Sequence, residues 1–236
     1  MLIIIQEAKI SKSFIPIFML RILAKIIQYA RVSNEVNQDK GVSVRMGVHS
    51  LELLVGESER ARAVSHKVLA IPRPSDIFCI GQSTKFELAE MDDTIANREK
   101  VLNNLITISL KETSLEYVKG IDPSMLEQIK QEFAGKTFQV SQNFLGANSM
   151  QTSYENQLKN FETIRSLIGI IYEKISDEQK EFEKNTQKHN IRSEYLSISE
   201  SAKSELRAAI IELVLEGLCA INPKILDKKE AGFVAA

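Results

Sequence analysis

Gly41-Val42-Ser43-Val44-Arg45, an amphipathic run to Val64, and then Ala70-Ile71-Pro72-Arg73-Pro74-Ser75-Asp76-Ile77 form the stretch that decides how this chain is read. The polar loop Ser33–Lys40 precedes it, Gly41 reads as a turn residue, and Ser43 is placed to cap a helix. That helix sets Val48, Leu51, Leu54 and Val55 on one side, with Glu52, Glu59, Arg60 and Arg62 elsewhere. Pro72 and Pro74 break the pattern, and Ser75 and Asp76 open a short helix through Phe78 and Ile80. Arg45 stands at the mouth of the capped helix. A guanidinium there is always charged and offers planar, bidentate donors to a phosphate. The competing reading is a surface arginine paired with an acid such as Asp39 or with a helix C-terminus.

Helical patterning continues on both sides. Ile17–Arg31 carries Phe18, Leu20, Ile22, Leu23, Ile26, Ile27 and Ala30 as a broad stripe. Ile95–Leu110, Met125–Phe133, Tyr154–Ile175 and Ala202–Leu218 read as further helices, and Asp177–Asn190 as a solvated helix or an exposed loop. Strand signals are scarce, and there is no internal repeat. The sequence therefore predicts an all-α fold. The acidic run Glu87–Asp93 suggests a boundary, which gives a tail of 1–13, a helical domain of 14–91, a second helical domain of 92–225 and a tail of 226–236.

The 236 residues are 44% hydrophobic and 26% charged, values of a globular protein able to bury a core. With 30 basic against 31 acidic residues, no net field favours nucleic acid or an anionic membrane. Met1–Ile5 is apolar but lacks the basic flank of a signal peptide. Pro16, Arg21 and Lys25 interrupt Phe14–Ile27 well short of the roughly 18 apolar residues that a span needs. The chain reads as cytoplasmic, without nucleic-acid or membrane partners. Cys79 and Cys219, far apart and in apolar surroundings, read as reduced core thiols.

Candidate chemistry is thin. Gly135-Lys136-Thr137 has the look of a phosphate-loop ending, but that motif needs a glycine at position 130, which is Lys. A helix C-cap followed by a polar turn is the better reading. His49, His66 and His189 have no partners at ligand spacing, although His49 and Glu52 share a helix face. No catalytic residue and no metal site is expected. Arg60, Arg62, Lys67 and Arg73 form a loose basic set, read either as a solvated face or as a contact to a neighbouring subunit.

From about Phe18 to Glu90 the chain resembles the lid of the magnesium-chelatase-like AAA+ ATPases. The resemblance rests on Ala30-Arg31, Ser33, Val36-Asn37, Gly41-Val42-Ser43-Val44-Arg45, Leu54-Val55, Arg60, Pro72-Arg73-Pro74-Ser75-Asp76-Ile77 and Ser83-Thr84-Lys85-Phe86-Glu87-Leu88. Ile211-Glu212-Leu213-Val214-Leu215-Glu216-Gly217-Leu218 resembles the last helix of longer bacterial members, which carry extra helices after the lid. The pattern departs from the family at Glu57, Ser58, Glu59 and Ala61, where the helix is more polar.

The resemblance implies an AAA+ lid-like helical bundle followed by a second helical domain, and a sensor 2 role for Arg45 at the γ-phosphate of ATP. It implies the C-terminal, nucleotide-sensing and assembly portion of a remodelling ATPase, not an ATPase on its own. No Walker A or Walker B is present in this sequence. ATP and Mg²⁺ would then enter only with a P-loop core from another chain. The partners would be that core, neighbouring ring subunits and an unknown client. A truncated gene, a late start codon or a split gene would each give this arrangement. The alternatives are a helical interaction module docking through Tyr154–Ile175 and Ala202–Leu218, or a non-functional remnant that exposes apolar surface on Ile17–Arg31.

Overall fold

The computed structural model describes residues 13–39, 42–63, 69–82, 86–89, 93–141, 144, 146, 153–187 and 200–236, and these are mostly helical. The N-terminal tail to residue 12, Gly41, Lys67, Ser83-Thr84-Lys85 and residues 188–190 lie outside the described residues. Helix α1, Ile17–Val32, buries Phe18, Ile22, Leu23, Ile26 and Ala30, the stripe expected of it. Its apolar face is therefore covered, and the exposed surface that a remnant would show is not found there. Helix α2, Val44–Ser58, starts at Ser43, whose side chain accepts from the Arg45 amide as expected. It runs on into a π-helical turn, Glu59–Ala63. A 3₁₀ helix, Pro74–Gln82, follows with Pro74 as its first residue, so the proline begins this element.

Helix α3, Ile95–Val118, continues about two turns past the expected end at Leu110. Helix α4, Pro123–Glu132, is capped by Asp122 and followed by Gly135 at φ +71°. The short α5, Tyr154–Leu158, is capped by Ser153. Helix α6, Glu162–Gln187, extends the expected stripe through the charged run from Asp177. A turn at Lys159–Phe161 splits what the sequence reads as one helix into α5 and α6. Helix α7, Glu200–Ala220, is buried along most of its length. Residues Ala202–Leu218 are thus committed to the interior and are not a docking face.

One hydrophobic core contains Phe18, Leu54 and Ile77 together with Ile106, Phe133, Ile168 and Leu213. The division expected near residue 91 does not separate two cores. Leu88 bridges back to Val36, with Asn37 N donating to Glu87 O at 2.8 Å and Ala89 N to Glu35 O at 2.9 Å. Arg21 of α1 donates to Tyr117 Oη of α3 and to Glu178 of α6, each at 2.7 Å.

The expected tail 226–236 is also corrected. It forms an antiparallel hairpin, β1 Leu226–Lys229 and β2 Gly232–Ala235, with Leu226 and Phe233 buried. Phe138 exchanges backbone hydrogen bonds of 2.9 and 2.8 Å with Phe233. Gly232, at φ +130°, lies so close to Phe138 O that a Cβ would sit 2.3 Å from it. Strands of four residues carry too little alternation to register in sequence, and Lys228-Lys229-Glu230 reads as solvent-exposed.

Glycine tests the close crossing of α3 and α7. A Cβ on Gly217 would lie 2.8 Å from both Ser114 O and Val118 Cγ1, whereas one on Gly169 of α6 meets nothing within 4 Å. Gly217→Ala should lose about 1–3 kcal/mol in urea unfolding. Gly169→Ala should gain about 0.5–1 kcal/mol.

Candidate functional site

Arg45 lies in the first turn of α2, exposed, with its guanidinium lacking a partner among the described residues. Ser43 occupies one helix-end amide, and the local field at this end favours an anion. The competing pairing with Asp39 is not formed. His49 and Glu52, farther along α2, make an exposed contact of 3.2 Å. Among the described residues no group of three or more His, Cys, Asp or Glu is placed to hold a metal ion.

The basic set divides. Arg60 is exposed and bound to Glu57. Arg62 and Arg73 are at most 1% exposed, so neither is a solvated face or a subunit contact. Both belong to a polar cluster inside the core. Arg62 grips Asp76 bidentately at 3.0 and 2.6 Å and donates to Ile71 O at 3.0 Å. Asp76 also accepts from the Arg73 amide at 2.8 Å, which caps the 3₁₀ helix. The Arg73 guanidinium donates to Glu205 of α7 and, at 2.7 Å, to Phe144 O, and it lies 5.2 Å from the Tyr154 ring centroid. Gly146 N donates to the other Glu205 oxygen at 2.9 Å. Glu212, two turns along α7, accepts from Ser75 N at 2.8 Å and lies 2.7 Å from Tyr154 Oη.

Two guanidinium groups face three carboxyl groups here, all of them at most 2% exposed. Burial raises the Glu212 carboxyl above its usual range, against the opposing pull of Arg73. With a proton on Glu212 the cluster is neutral. The Tyr154 phenol is pushed well up, by burial first and by Glu212 next. Arg73 loses solvation, but Glu205 and Glu212 more than offset that and hold it charged.

Both carboxylates were legible in principle. Glu205 and Glu212 are seven residues apart on one face of a helix whose Ala208–Leu215 stretch is otherwise apolar, and a charge buried there has to be paired. Arg62 likewise continues the buried line Leu51, Val55 and Ser58 of α2.

The remaining candidates are inert. Lys136 donates to Asn160 O at 3.1 Å and lies over the Phe161 ring, so Gly135-Lys136-Thr137 is the turn after α4 and not a phosphate cradle. Cys79 and Cys219 are free, and burial pushes each thiol up to about 12. No family model, curated protein or solved structure matches this chain.

Folding raises the Glu212 pKa, so the folded state holds this proton more tightly than the unfolded state. The associated stability is present below the ordinary value of 4.5 and falls as pH rises through the folded value. In Glu212→Gln the amide mimics the protonated acid. Urea unfolding at pH 5, 6.5 and 8 should show stability falling with pH less in this variant than in the native chain.

Proposed function

We propose that this chain is the C-terminal, nucleotide-sensing and assembly portion of a magnesium-chelatase-like AAA+ ATPase. The observation that carries the reading is the contrast among its arginines. Arg60, Arg62 and Arg73 are each engaged by carboxylates, while Arg45 stands exposed at a capped helix start with no guanidinium partner among the described residues. A charge held there on a rigid helix suits a γ-phosphate presented from outside this bundle.

The chain fits ATP as the donor of one charge. Its Gly135-Lys136-Thr137 turn is no phosphate cradle, because Lys136 is already engaged by Asn160 O. Bound between a P-loop core and this helix, ATP would supply the phosphoryl group. The role of Arg45 is to neutralise charge developing on it and to tie the position of α2 to nucleotide state. The core, with its Mg²⁺, comes from another chain in this reading, and neighbouring ring subunits complete the assembly. The interaction-module reading retains α6, whose Ile170 is 61% exposed, but not α7.

The test is reconstitution with the P-loop core of a magnesium-chelatase-like ATPase supplied as a separate polypeptide. The chain alone should turn over no ATP. In the complex, Arg45→Ala should lower kcat roughly 10²–10³-fold with assembly, followed by light scattering, intact. An unchanged rate removes the sensor reading.

A further inference from the structure

We propose that α2, its π turn and α7 act as one lever, so that an anion engaged by Arg45 carries the C-terminal helices along with α2. The trigger rests on the sensor reading of Arg45; the linkage does not. Arg45 opens α2 and Arg62 lies in the π turn that continues it, about 26 Å away along a helical rise. At that far end the bidentate Arg62–Asp76 pair fastens α2 to the 3₁₀ helix.

The 3₁₀ helix is in turn attached to α7 at two points. Arg73, just before it, holds Glu205, and the Ser75 amide holds Glu212 two turns farther on. One attachment would leave a pivot, but two on the same face of α7 oppose both rotation and sliding. The backbone at Gly146 donates to the second Glu205 oxygen and the Phe144 carbonyl accepts from the Arg73 guanidinium, while Arg73 Nε stays buried without a hydrogen bond. Every charged member is at most 2% exposed, so sliding one element past another within the closed interior would leave charges with neither partner nor water. The surface pairs elsewhere, such as Arg60–Glu57, can exchange with solvent and carry no such constraint.

Hydrogen exchange on the intact chain, without nucleotide, tests the linkage. Amides in the interior of α2 and α7 should open together with equal protection. Glu205→Gln should speed both by the same factor, roughly 100-fold, and Arg45→Ala should speed neither. Faster opening of α2 than of α7 in the native chain overturns the lever, and this comparison stands even if Glu205→Gln fails to fold. An effect of Glu205→Gln confined to one helix overturns it as well.

Spin labels on Glu52→Cys and Lys203→Cys, in a Cys79→Ser, Cys219→Ser background, extend the test to the complex with a P-loop core. Their separation should stay constant when ADP–aluminium fluoride is added, and a shift of several ångströms contradicts the lever. Unchanged ATPase in Arg45→Ala overturns the sensor and not the linkage, which the exchange data decide.

Discussion

The fold depends on Arg62 and Arg73 finding Asp76, Glu205 and Glu212 inside the core. Ions taken out of water lose several kcal/mol of hydration each, and only close, multiply bonded partners return it. Here nearly every oxygen and nitrogen of the cluster is engaged, by a charge, a phenol or a backbone group. A cluster of this kind adds little net stability over a well-packed apolar core. What it does is penalise every other arrangement, because any slip of α7 strands a charge. It therefore fixes which face of α7 meets the 3₁₀ helix.

The same economy of shared groups recurs at helix ends. Gln179 of α6 accepts from the Ile17 amide at 3.0 Å and so caps α1, whose own N-cap, Pro16, has no side chain to offer. Glu132 of α4 accepts from the Thr163 and Ile164 amides and serves the start of α6. Glu212 does this for the 3₁₀ helix. Helices so terminated depend on their neighbours, which explains why residues on both sides of position 91 share one core.

How much of this the sequence carried depends on the distance over which each feature is decided. Helices set by a local stripe and a local cap, such as α1 and α2 with Ser43, were readable from neighbouring residues. Where a distant partner decides, local reading failed. Arg73 looks like a surface cation until Glu205, 132 positions away, is brought to it. The hairpin at Leu226–Ala235 was missed because each strand has only four residues and its outer edge pairs with the distant Phe138. The acidic run Glu87–Asp93 looked like a boundary because solvation and domain linkage share a composition, while Leu88 in fact clips to Val36. The position of Arg45 in the first turn of α2 was legible from the Ser43 cap, whereas the exposure of its side chain follows from how α2 packs on the core.

The functional proposal and the architecture meet in α2 and the π turn that continues it, with the exposed Arg45 at one end and the buried Arg62 at the other. The central claim is that the segment carrying α2 and the 3₁₀ helix is joined to α7 by charges that need one another. A double-mutant cycle between Arg73→Met and Glu205→Met, followed by equilibrium urea unfolding, tests it most directly. Each single change should cost about 3–5 kcal/mol, and the double change far less than their sum, because neither charge is then left stranded. Costs that simply add would contradict the claim and show that the two segments stay together by apolar contact alone.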